Sequence, residues 1–505
     1  MVQSRLSDAA HQAGHNGGIP ATTSIDAQMP MDQRCDILRM LGGLGGNYML
    51  AHRLGRRRSL VFIARFLADP LLAVRDTHGA HGPFLRIDYP HSTRANPKRL
   101  FVVADTGLCR TLLSGTENWL NVQINMAGRK NHASSRLVYG MTRLRGQRHE
   151  HYRKMFLPPL KRSPVLAMAP KMASIAESLV DGWPVGVPLP LTKISAQMAK
   201  HLAIGLLFGD DSARGLPVAD MIGSLMTASW IVPGPAYVRW ILEAPKLERA
   251  ILTWAAEKRG NPDAQDILAL LANNFDEAGN PPSPQLIGGI ISFFFGAAYD
   301  TCLNALSWTT ILLTQHPAIM ARLVAELDVA LDGGPVTMDA LDRVPLLESA
   351  VREAMRLFPP VPLLMRKAAG KTTLGGEDVK RGERVLIGGM LINRDPSLYP
   401  QPDCFNPDRW SNLKPSPFQY LVFGAGGHMC PGTTFGYQMM RIALATILTR
   451  RAVELPDGLS IGHRLAVTHR PHGKVEIILR PRGDLVRQAR ANGRFRDLVT
   501  LPEMF

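Results

Sequence analysis

The chain has 505 residues, 46% of them hydrophobic and 20% charged, with a formal net charge of +16. That supports a large core, and no stretch is depleted enough in apolar residues to read as wholly disordered. Five cysteines (Cys35, Cys109, Cys302, Cys404, Cys430) are scattered without paired spacing, which excludes a disulfide scaffold, a zinc ribbon and a built-in iron–sulfur domain and fits a reducing cytoplasm.

Taken in chain order, the first residues lack the basic-then-apolar order of a signal peptide, and residues 1–60 read as a partly flexible N-terminal extension. The Gly42–Gly46 run has neither the preceding strand nor the glycine offsets of a dinucleotide fingerprint. Arg53 and Arg56 to Arg58 precede an apolar run, read as a solvated turn before a core helix. Between Asn121 and Arg162 ten Lys or Arg face one acid, Glu150, so this block carries more than half of the net charge. It lacks the interleaved aromatic residues of single-strand platforms, and no nucleic-acid motif occurs anywhere. Helical periodicity dominates from about Asp105 to Phe358. Ser283 followed by Pro284 predicts a helix start with a side-chain cap, and the pattern then runs to about His316. This long helix is apolar on almost every face, so it is expected to cross the interior. Its longest apolar stretch, Leu286 to Ala298, is shorter than the ~20 residues of a membrane span, and no transmembrane anchor is expected. Short strand-like pieces separated by glycine turns follow from Thr372 to Asn393. A last helix is expected from Gly432 to about Arg450.

The sharpest signal is Phe423-Gly424-Ala425-Gly426-Gly427-His428-Met429-Cys430-Pro431-Gly432. A cysteine set among four glycines and a proline, just ahead of a helix, is poorly explained as a packed core residue. Peptide N–H groups and the following helix are expected to lower its thiol pKa. The run resembles in full the haem-binding signature of the cytochrome P450 family, in its His-bearing form. The resemblance implies that Cys430 is the axial thiolate of haem b iron, which favours O–O cleavage, that Phe423 packs near the sulfur and that His428 reaches a propionate.

Other motifs stand in the same family's order. Glu353-Ala354-Met355-Arg356, followed by Leu357-Phe358-Pro359-Pro360, resembles the end of the family's K helix, and Arg409 in Pro407-Asp408-Arg409-Trp410 resembles the third member of its Glu–Arg–Arg network; these three are read as structural. Ala297-Ala298-Tyr299-Asp300-Thr301-Cys302 resembles the acid–alcohol pair, with Asp300 and Thr301 relaying protons to the oxygen being activated. Ala298 stands where a glycine is usual, and Cys302 where a second Thr or Ser is frequent. Gly146 to Arg153 resembles the C helix, in which His149 and Arg153 would bind a propionate, with Arg366 a further candidate. The family's substrate-contact segments map onto Phe293, Phe294 and Ala297, onto Val361, Leu363 and Leu364, and onto a basic stretch near Thr468, read either as an anchor for a substrate carboxylate or as a solvent-exposed segment.

The resemblance spans roughly Pro70 to Arg480. It implies a mainly α fold with a small β region, a single triangular haem domain over residues 61–482, and a basic C-terminal tail over 483–505. The implied activity is that of a soluble, cytoplasmic, bacterial-type monooxygenase acting with O2 on a hydrophobic substrate. Only 75 residues follow Cys430, short of a flavin domain, so electrons are expected from a separate acidic ferredoxin- or flavodoxin-type donor docking on the basic block. Alternatives on the same fold are oxidative coupling, isomerisation or dehydration, and a non-enzymatic haem sensor.

Overall fold

The computed structural model describes residues 50–89, 99–122, 132–138, 144–209, 212–227, 235–261, 266–275, 279–486 and 489–503. Cys35, the Gly42–Gly46 run, Arg129, Lys130 and Arg143 lie outside them, as does the proposed extension through residue 49.

Five helices carry the site: α1 (Gly146–Phe156), α2 (Leu191–Phe208), α3 (Pro284–Thr314), α4 (Pro345–Leu357) and α5 (Thr433–Arg450). The 31 residues of α3 make it about 46 Å long at the standard rise. It packs against α2, against the short Ala133–Val138 helix and against α4. Its buried set includes Ile290, Phe295, Leu306, Trp308 and Leu313, spread around the helix as its all-round apolar sequence requires. Among the described residues this helix alone is long and apolar enough to cross a membrane, and here it is the core helix. Its start is at Pro284 as the sequence predicts, but the Ser283 side chain makes no capping bond. The Ser283 carbonyl instead accepts from Leu286 and Ile287 N–H.

The β region is smaller. A six-stranded sheet runs in the order His52–Leu54, Phe84–Asp88, Arg99–Val103, Arg384–Ile387, Leu364–Ala368, Trp119–Asn121. Arg99–Val103 is buried at every position and central, yet it precedes the stretch where the sequence reading looks for strands. Gly462–Leu465 and His469–His472 form a separate antiparallel hairpin.

Residues 51–505 form one unit, and both ends of the expected haem domain move outward. His52–Leu54 pairs in parallel with Leu85–Ile87, and Leu54 is 1% exposed, so the sheet begins before residue 61. At the other end, residues 489–503 do not form a tail. Phe495 and Leu498 are buried, Phe495 N–H donates to Ile461 at 3.1 Å, and Arg394 donates to the Leu498 carbonyl at 2.8 Å. Gly493, at φ +102°, lets the chain pass so close that a Cβ would sit 2.4 Å from the Ile461 oxygen. Basic composition hid this segment, because its few apolar residues all point inward.

Candidate active site

A cavity of about 430 Å³ lies between α3 and the cysteine loop. Ala297 and Cys430 are exposed although they sit within the fold, because both open onto it. From α3 come Phe293, Phe294, Ala297, Ala298, Thr301, Cys302 and Ala305. The loop contributes Phe423, His428 and Cys430, and the chain after α4 contributes Val361, Leu364 and Arg366.

Backbone geometry sets the cysteine. The loop closes through Cys430 N–H to the Phe423 carbonyl at 2.8 Å. Gly424 and Gly426 have φ of +68° and +70°, a region that disfavours side chains. A Cβ on Gly426 would also lie 2.2 Å from the Leu113 oxygen. Phe423 packs on Tyr437 of α5. Burial holds the Cys430 thiol above its ordinary pKa, opposed by the Gly432 N–H, the Arg153 guanidinium and the Thr433 hydroxyl. The donors expected around the sulfur are thus in place, and the surrounding protein opposes them.

The ionisable groups around the cavity, the cysteines apart, are all basic, with Asn121 and Thr301 as neutral polar neighbours. Arg366 is 6% exposed; its hydrogen bond among the described residues is to the Met365 carbonyl at 3.3 Å, and burial lowers its pKa to about 10. His428 lies 4.4 Å from His149, ring centre to ring centre. Its pKa is lowered to about 4 by burial first, then by His149, Arg366 and Arg153. Burial and Arg153 also lower that of His149. Arg153 spends one N–H on the Met429 carbonyl at 2.8 Å, tying α1 to the loop. No Asp or Glu lines the cavity among the described residues. Four basic side chains without an acid call for an anionic partner, since an uncompensated buried cation is costly.

Glu353, Arg356 and Arg409 form the opposite kind of cluster. Glu353 and Arg356 are fully buried. Glu353 accepts from Arg356 at 2.8 and 2.9 Å, from Arg409 at 2.9 Å, from Trp410 at 3.0 Å and from Asn406 N–H at 3.0 Å. Arg356 also donates to the carbonyls of Asn393, Pro402 and Cys404. Every charge there is answered within the chain.

Two expectations shift. Leu363 does not line the cavity, whereas Leu364, the first residue of the strand that follows, does. The basic stretch near Thr468 does bind a carboxylate, but the chain's own: Arg470 pairs with Asp300 at 3.2 Å. Asp300 accordingly does not line the cavity, whereas Thr301 does. Sequence reading also missed Phe156, Leu160, Leu206 and Leu207 in the lining. Their helical periodicity marks them as core, and only the tertiary arrangement turns them toward a hollow.

A family model described as Cytochrome P450 matches residues 248–473, which include α3, the Glu–Arg pair and the cysteine loop. The chain belongs to the cytochrome P450 family. A cytochrome P450 designated 135B1 in Mycobacterium tuberculosis is 28% identical over 364 residues, covering 68% of this chain and 75% of that protein. The cyclooctat-9-en-7-ol 5-monooxygenase of Streptomyces melanosporofaciens is 25% identical over 390 residues, covering 74% and 82%. Among solved structures, the heme domain of cytochrome P450DA superposes with a TM-score of 0.68 at 20% identity, covering 85% of this chain and 94% of that one. The fold is thus that of a P450, mainly helical with a smaller sheet region. Membership makes the protein an oxidoreductase of the haem-thiolate type, with haem as the implied cofactor. The residues present fit that group: a cysteine aimed into a cavity that a glycine-rich loop keeps open, beside basic side chains that lack an acid.

Proposed function

We propose that this P450 inserts one oxygen atom from dioxygen into a neutral, hydrophobic organic substrate, with electrons supplied by a separate acidic protein. The observation that carries this reading is the position of Cys430 and Thr301, which line the same cavity from different elements. Haem b bound there would supply the iron centre at which dioxygen, two electrons and two protons are consumed, one oxygen atom leaving as water.

Cys430 would ligate the iron through Sγ, giving up its thiol proton. The Gly432 N–H, Arg153 and Thr433 are the groups that stabilise the sulfur's negative charge. His149, Arg153, Arg366 and His428 would hold the propionates, whose charge answers the cavity's unmatched cations. Thr301 donates to the Ala297 carbonyl at 2.6 Å, which fixes its rotamer and leaves the hydroxyl oxygen as an acceptor on the cavity side. Asp300, adjacent in the chain but facing the hairpin rather than the cavity, would bring protons toward Thr301 from that side. Phe293, Phe294, Ala297, Val361 and Leu364 exclude water and select apolar substrates. The exposed residues Arg145, Arg148 and Lys154 of the basic block would steer the donor by charge.

Turnover under labelled dioxygen tests the reaction class. The reading requires one labelled atom in the product for each molecule oxidised. A product without label would assign the chain to coupling, isomerisation or dehydration.

A further inference from the structure

The acid of α3 is engaged from outside the cavity. Asp300 is 3% exposed. Its carboxylate accepts a hydrogen bond from Thr468 Oγ1 and lies 3.2 and 3.4 Å from Arg470 Nη2. Asn304, one turn further along α3, donates to the Asp300 carbonyl at 2.7 Å and to Thr468 Oγ1 at 2.8 Å. That second bond occupies a lone pair of the hydroxyl and leaves its proton for Asp300. Thr468, just ahead of the strand His469–His472, and Arg470 within it both reach the Asp300 carboxylate. His469 between them packs its ring against Trp308 of α3 and against Phe358. Tyr299 is the other titratable neighbour; burial and then Asp300 hold its phenol above the usual range. Successive helix positions differ by about 100°, so the acid looks toward the hairpin while Thr301 looks into the cavity.

We infer that Arg470 and Thr468 are positioning residues: the hairpin holds Asp300 as an oriented carboxylate at the one flank of α3 where its cation partner reaches solvent, and so sets its readiness to take up and pass on a proton. This rests on reading Asp300 and Thr301 as the relay of the proposed monooxygenase. The geometry supplies both parts of the role. Arg470 has a side chain 22% exposed, which joins a nearly sealed acid to water. Burial disfavours the charged form of a carboxyl group, and a cation beside it favours that form. Burial is the largest influence on Asp300 and raises its pKa, while Arg470, then Thr468 and Asn304, act to lower it.

The test uses the holoenzyme with Arg470→Gln, Arg470→Lys and Thr468→Val. Infrared spectra over pH follow the protonated carboxyl band that Asp300→Asn removes, and the pH profile of product formed per dioxygen consumed is measured in parallel. In Arg470→Gln the carboxyl midpoint is expected to rise by about one unit or more, the size of shift one adjacent cation produces. The acid limb of the coupling profile should move up with it. Arg470→Lys should restore most of both, and Thr468→Val should give a smaller shift in the same direction. An unmoved carboxyl midpoint overturns the inference, as does a shifted midpoint with an unchanged coupling profile. The carbon monoxide spectrum of each variant keeps this separate from the reading of the reaction. An inference that fails leaves a thiolate-type spectrum, whereas failure of the haem-thiolate reading removes that spectrum from the wild type itself.

Discussion

Buried charge is handled in opposite ways in two regions of this molecule. Around Glu353, two arginines, an indole and a peptide N–H converge on one carboxylate, and each remaining N–H of Arg356 finds a carbonyl. Around the cavity, Arg366 sits almost as deep with no acid near it, and the pKa of His428 is lowered to about 4 by burial and then by its basic neighbours. The first arrangement is complete and holds the loop that follows α4. The second is incomplete and marks where an anionic group belongs. Self-sufficiency separates scaffold from site more sharply than burial does, since Arg366 is buried nearly as deeply as Arg356.

The largest effect should come from breaking the complete cluster. Glu353→Ala leaves Arg356 and Arg409 without their acid, and loss of one partner of a buried pair costs about 3–5 kcal/mol. Denaturant titration should show a lower midpoint with an unchanged slope. Arg366→Met should do the reverse in the haem-free chain, leaving stability unchanged or higher. Its cost should appear in haem affinity, about 1.5–3 kcal/mol for a lost charge-assisted hydrogen bond, read by transfer of haem to an acceptor protein. Equal destabilisation of the haem-free chain by both substitutions would erase the distinction. The smallest effect concerns exposed charge, where screening is strong. Neutralising Arg145 and Lys154 should slow reduction by an acidic donor several-fold at low salt and hardly at all at high salt. An unchanged rate and salt dependence would remove the basic block as a docking face.

Much of the site was legible because its residues are close in sequence. The cysteine loop is ten consecutive residues, Glu353 and Arg356 are three apart on one helix, and Asp300 and Thr301 are adjacent. What remained hidden depends on contacts across long separations. Arg470 lies 170 positions from the acid it pairs with, so its charge reads as a substrate anchor until the hairpin is seen against α3. The segment around Phe495 reads as a tail because burial of Phe495 and Leu498 depends on the Ile461 and Arg394 backbone and side-chain partners.

The most direct test of the central claim is the carbon monoxide difference spectrum of the reduced protein, recorded for the wild type and for Cys430→Ala. The account predicts a strongly red-shifted Soret band in the wild type that vanishes in the variant. A wild-type band at the position typical of histidine-ligated haem, or no bound haem at all, would contradict it.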